Sequence, residues 1–178
     1  MRYNPKYHSK EVLQCPKKRH PKKLMVWGCF SYHGCGKLYH CQKKVDSDEY
    51  CRIITTSLLP SSERLVFARP FIFQQDNTAC HKSKKTMEYF DELAADGELY
   101  LLEWPPQSPD LNPIENLWAY FDFVIGDRSM MSRGQMWNLL EKTWEKIAND
   151  RELLRNLVDS MPRRIDAVLK AEGGPTKY

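Results

Sequence analysis

No stretch of this 178-residue sequence approaches the roughly 20 consecutive apolar residues that a membrane-crossing helix needs. Mean hydropathy is −0.63 and 42% of residues are hydrophobic, which suits a soluble domain with a single core. Residues 1–10 are polar and hold no apolar block of the kind a secretory signal carries. An intracellular, reducing compartment is therefore expected. The six cysteines, Cys15, Cys29, Cys35, Cys41, Cys51 and Cys80, form no CxxC pair, which argues against a zinc ribbon or a thioredoxin-like redox motif. They read as reduced, partly buried thiols. Internal repeats are absent as well.

Acidic residues are scarce at one end only. Residues 1–44 hold eleven Lys or Arg against a single acid, Glu11, a balance of +10. The rest holds 16 basic and 22 acidic residues, a balance of −6. A basic leading segment on a mildly acidic body points to a polyanion contact near the amino end, or to a solvated basic loop.

Residues 1–23 carry scattered prolines and lysines without helical period and read as an irregular basic leader. Residues 24–31 and 38–42 flank His33-Gly34-Cys35-Gly36 and read as a hairpin. Asp46 and Ser47 can cap a helix running to about Leu58, with Tyr50, Ile53, Ile54 and Leu58 on one face, and Pro60 is expected to stop it. Phe71-Ile72-Phe73 reads as a buried, parallel strand. A helix over 80–95 follows, with Ser83, Met87, Phe90 and Ala94 on one face, and then a second apolar strand over 99–104. Together these form a βαβ unit. After a proline-rich turn, Asn112 is expected to cap a helix with Pro113 at its first position and Glu115 at its third. Three further amphipathic helices are expected: 132–148, about 150–158, and one from about 160 that ends before Gly173-Gly174. Trp118, Trp137 and Trp144 read as core residues.

In open α/β sheets, functional groups collect beyond the carboxyl ends of strands. Asp76 ends the first strand of the βαβ unit. Glu115 lies in the first turn of a helix, where free N–H groups and the dipole favour an ionised carboxylate. Two converging carboxylates suit a hard divalent cation. Each also has a simpler reading as a capping residue. Cys29, His33, Cys35, His40 and Cys41 cluster in sequence but fit no standard zinc spacing. His81 could reach substrate or a metal, or could simply be a satisfied imidazole at a helix end. Lys82, Lys84, Lys85, Arg163 and Arg164 are candidate phosphate contacts, with a solvated surface as the alternative.

Longer motifs narrow these choices. Phe73-Gln74-Gln75-Asp76-Asn77, Cys80-His81, and the run from Glu103-Trp104-Pro105-Pro106 through Asp110-Leu111-Asn112-Pro113-Ile114-Glu115-Asn116-Leu117-Trp118 closely resemble the catalytic domain of Tc/mariner-superfamily transposases. So do Met25-Val26-Trp27-Gly28-Cys29-Phe30-Ser31 and Ser160-Met161-Pro162-Arg163-Arg164-Ile165. The resemblance covers about residues 3–178. It implies an α/β fold of the ribonuclease H-like, DDE transposase and integrase type: a mixed sheet flanked by helices, with an α-helical tail. In it Asp76 matches the second catalytic carboxylate and Glu115 the third, both ligating Mg²⁺ or Mn²⁺. The 38 residues between them are a few more than the commonest spacing, and the extra residues are expected around 92–98. Glu103 and Asp110 also recur in such sequences and are assigned structural roles. The implied reaction is metal-dependent DNA cleavage and strand transfer. Its partners would be transposon ends and target DNA, its compartment the nucleus, and a homo-oligomer is left open.

One part of the family pattern has no match. The first catalytic aspartate belongs on a strand before the hairpin, and this sequence has no Asp before Asp46. Asp46 and Asp48 follow the hairpin and read as capping residues. No counterpart of the family's amino-terminal helix-turn-helix is present. The resemblance thus implies a catalytic domain over 24–178, truncated at its amino end and lacking a central strand. Sheet edges would then be unpaired or filled by another segment, and the chain alone would be inactive. A non-enzymatic DNA- or protein-binding module, or a fragment of a longer gene, are the alternatives.

Overall fold

The computed structural model describes residues 23–66, 68–126 and 131–178. The basic leader, apart from Lys23, lies outside the described residues.

The hairpin forms, but in two short ladders. Strand β1 (Met25–Trp27) pairs antiparallel with β4 (Tyr39–Cys41), and β2 (Phe30–Ser31) with β3 (Gly34–Cys35). The Gly36 N–H donates to the Cys29 carbonyl at 2.7 Å and links the two. Gly28 sits at the break because a Cβ there would lie 3.0 Å from the Trp144 ring and 3.2 Å from Trp118. Only a glycine lets the two stacked indoles, 5.8 Å apart, lie against the backbone.

Asp46 caps α1 (Ser47–Ile53), its carboxylate accepting from the Glu49 N–H. Here the expected end at Pro60 is wrong. A π-helical turn, Ile54–Leu58, leads directly into α2 (Leu59–Leu65), with Pro60 in the first turn of α2. The widened turn just before the proline takes up the missing N–H and the ring's clash with the preceding turn, so the rod continues. Tyr50, Ile53, Ile54 and Leu58 are buried as expected.

Strand β5 (Phe71–Phe73) runs parallel to β6 (Leu99–Leu101), with α3 (Lys84–Ala95) between them. The βαβ unit is therefore present. Its helix starts four residues later than expected, capped by Ser83, and buries Thr86, Phe90 and Leu93 rather than Met87 and Ala94. A 3₁₀ turn, Pro109–Leu111, precedes α4 (Ile114–Ile125). Asn112 makes no N-cap bond to this helix; its side-chain amide reaches forward to the Glu115 carboxylate at 3.5 Å. Helix α5 (Arg133–Asn149) opens with a full capping box between Ser132 and Gln135. Helices α6 (Arg151–Asp159) and α7 (Met161–Lys170) complete the tail, and Gly173 follows with φ +81°.

Two cores result. One packs Leu117, Phe121, Met136, Leu140, Trp144 and Leu154 beneath the hairpin. The other packs Tyr50, Ile54, Phe90, Leu93 and Leu99 around β5 and β6. The expected mixed sheet is divided: among the described residues no strand joins β1 to β5, and each ladder is two-stranded.

Candidate metal and DNA site

The seam between β1 and the end of β5 is an open pocket of about 360 Å³. Asp76 and Glu115 both line it, together with Trp27, Tyr50, Gln75, Thr78, His81 and Trp118. Asp76 is delivered by the chain leaving β5, and Glu115 by the first turn of α4. The structure thus brings together the two carboxylates that the sequence singles out.

Asp76 is held by a tight turn. One carboxylate oxygen accepts from the Thr78 N–H at 3.0 Å and meets His81 Nδ1 at 2.6 Å; the other accepts from the Thr78 hydroxyl at 2.9 Å. Of the roughly four lone-pair positions on a carboxylate, three are engaged within the protein and one is left for a ligand. Burial alone would raise this carboxyl, but the Thr78 bonds and the neighbouring His81 hold it below its ordinary value. Glu115 is shifted the other way, raised by burial and then by the negative charge of Asp76. The two carboxylates line the same pocket and together offer a donor set of hard oxygens that fits a divalent cation. Among the described residues no three His, Cys, Asp or Glu side chains gather as a metal cluster.

His81 is half-buried and stacks on the Tyr50 ring, with centroids 3.9 Å apart. Burial pushes its pKa below the ordinary imidazole value in spite of Asp76, so the neutral ring dominates at neutral pH. In that form the contact to Asp76 requires the proton on Nδ1. Tyr50 donates its hydroxyl to the Gln75 amide oxygen at 2.5 Å, and the Gln75 amide N–H₂ donates to the His81 carbonyl at 3.3 Å. This support under Asp76 was not read from the sequence, where Tyr50 counted only as a buried helix position. Asn77, adjacent to Asp76, donates to the Trp104 carbonyl and ties the ends of β5 and β6 together.

The other candidates lie apart from the pocket. Lys82, Lys84 and Lys85 are exposed; Lys85 pairs with Asp48, and Lys84 lies 3.6 Å from Glu88. Arg163 is exposed. Arg164 is 3% exposed, and its guanidinium donates to the Ser160 hydroxyl, the Asp110 carbonyl and the Asn116 side-chain oxygen. Its expected phosphate contact gives way to a structural one, because every one of these bonds lies inside the protein. Asp110 is structural too, accepting from the Thr176 hydroxyl. Glu103 is exposed and does not line the pocket. Among the described residues the cysteines and histidines of the hairpin do not gather three to a cluster. His40 stacks on Trp137 at 4.7 Å, while burial raises Cys29 and Cys35 to about 12 and Cys41 to about 11, so these thiols stay protonated. Trp144 is buried, as expected, whereas Trp118 and Trp137 are half-buried.

The mixed α/β arrangement, with acidic groups beyond a parallel strand and at a helix start, agrees with the ribonuclease H-like fold of the solved transposases it resembles. A model of the DDE superfamily endonucleases matches residues 2–136, and the chain belongs to that family. It is 39% identical over 178 residues to the Tc1 transposable-element transposase of Caenorhabditis elegans, covering 99% of this chain and 60% of that protein. The fold is similar to that of the Mos1 transposase paired-end complex with the left transposon end, with a TM-score of 0.76 at 17% identity. That match covers 99% of this chain and 51% of that one. It is likewise similar to the Mos1 catalytic domain with Raltegravir and Mg, with a TM-score of 0.73 at 18% identity, covering 86% and 77%.

Proposed function

We propose that Asp76 and Glu115 are two carboxylates of a DNA-cutting and strand-joining centre that holds Mg²⁺ or Mn²⁺ and acts in the nucleus on transposon ends. The convergence of these two side chains on one pocket carries this reading. A divalent ion held there would help activate water or a DNA 3′-hydroxyl and stabilise the leaving oxygen. The chain's own residues supply the setting. Thr78 and His81 fix the Asp76 carboxylate in one orientation, and the start of α4 presents Glu115 to the same pocket. The Mos1 structure with Mg and the Mos1 complex with a transposon end support the choice of metal and of DNA as substrate.

The chain spans about 60% of the length of Tc1 transposase, and it supplies two of the three carboxylates that the family pattern calls for. The 178-residue chain by itself is therefore expected not to nick DNA. Manganese binding to the purified chain, followed by electron paramagnetic resonance, tests the site. Glu115→Gln should weaken binding at least tenfold without disturbing the Asp76 turn, and Asp76→Asn should do the same. Binding indifferent to both changes would remove the metal site. Metal-dependent nicking by the unaltered chain would remove the claim of inactivity.

A further inference from the structure

Next to the carboxylate pocket lies a second, wider groove of about 580 Å³ with the opposite electrostatic character. Lys23, Lys43, Lys44 and Arg133 line it, and among the described residues no carboxylate does. All four are exposed. The two depressions adjoin: Met25, Cys41 and Lys44 line both. His40 stands in the groove wall, its ring fixed by stacking on Trp137. The cations come from distant parts of the chain. Lys23 precedes β1, Lys43 and Lys44 follow β4, and Arg133 opens α5, so the fold rather than a local charge run gathers them.

We propose that this groove is a track for the sugar-phosphate backbone of the DNA strand that enters the carboxylate pocket. Exposed cations spread along an open groove suit a chain of phosphates better than a single small anion, which needs converging, buried donors. The position beside the acidic pocket matters. Asp76 and Glu115 repel a phosphodiester, so phosphates flanking the one in the pocket need compensating charge close by, and Lys44 stands at the junction.

This proposal rests on the DNA-cutting reading for its ligand, and its test separates the two. Fluorescence anisotropy of the full chain with a labelled duplex is followed across a salt series. Lys44→Ala with Arg133→Ala should weaken binding at least tenfold near 0.1 M salt. It should also make the salt slope shallower by about 2, at roughly 0.9 per lost phosphate contact. A charge-matched pair, Lys142→Ala with Lys170→Ala, on exposed positions of α5 and α7, should leave the slope within about 0.5 of the unaltered chain. Equal losses for both pairs, or an unchanged slope for the groove pair, overturns the track. Manganese binding measured on the same proteins reports on the carboxylates independently. Loss of the groove effect with Glu115-dependent manganese binding intact sinks only the track, and the reverse result sinks only the metal site.

Discussion

The two cores differ in how completely they are closed, and each delivers one of the two carboxylates. The core beneath the hairpin is wrapped by α4, α5 and α6. The Trp144 indole N–H donates to the Gly36 carbonyl at 2.8 Å across 108 residues of sequence, and Trp118 and Phe121 pack against the same ring. The described residues cover the core around β5 and β6 on one side only. Phe71 and Leu99 face inward, whereas their register neighbours Ile72 and Tyr100 are 69% and 52% exposed. Parallel strands are ordinarily buried on both faces. Glu115 thus stands on the rigid side of the pocket and Asp76 on the open side. This is why Asp76 needs its own local fixation by Thr78 and His81, while Glu115 relies on its helix.

The sharpest way to break this contrast is to damage each core in turn. Trp144→Ala removes a large buried ring and leaves the Gly36 carbonyl unpaired, and should cost about 3–5 kcal/mol. Leu99→Ala should lie at the low end of its range, about 2–3 kcal/mol, because solvent already reaches one face of that sheet. Urea denaturation followed by circular dichroism measures both. Equal losses, or a larger one for Leu99→Ala, would mean that the open sheet is as tightly packed as the helical core.

A smaller effect separates the two neighbouring arginines of α7. Arg164 clasps α7 to the Asp110 turn and to Asn116 on α4, and its guanidinium lies 4.6 Å from the Tyr178 ring. Arg164→Ala strands these acceptors and should cost roughly 2–3 kcal/mol, while Arg163→Ala should shift stability by less than about 0.5 kcal/mol. Thermal melts of the two variants decide it. A stable Arg164→Ala protein that binds DNA poorly would restore the phosphate role expected from the sequence.

That arginine shows where sequence reading stops. Patterns set by neighbouring residues were legible: the βαβ unit, the helix opening at Ser132 and the buried face of α1 all follow from local chemistry and period. The pairing of Asp76 with Glu115 was legible through motifs rather than periodicity. What depended on distant partners was not. Nothing local distinguishes Arg164, bonded across 54 residues to the Asp110 carbonyl, from exposed Arg163. The face that α3 buries is set by the strands and by α1 beneath it, and so moved from Met87 to Thr86 and Leu93. Pro60 was read by its intrinsic preference, but a widened turn next to it absorbs the break.

The smallest expected effect is on pH dependence, where the two carboxylates should again diverge. Asp76 has a folded pKa below its unfolded value near about 3.9, so its stabilising contribution is present above that value and is lost as pH falls through the folded pKa. Glu115 has a folded pKa above its unfolded value near about 4.3. The folded state holds that proton longer, so stability declines as pH rises from the unfolded pKa through the folded one. Glu115→Gln removes the repulsion with Asp76. It should therefore melt higher than the unaltered chain at neutral pH, with the difference vanishing as pH falls below the unfolded value. Melting temperatures from pH 3 to 8 check this in metal-free buffer. If Glu115→Gln instead lowers the melting temperature at neutral pH, the two carboxylates do not repel each other, and the pocket that defines the proposed site is not formed as described.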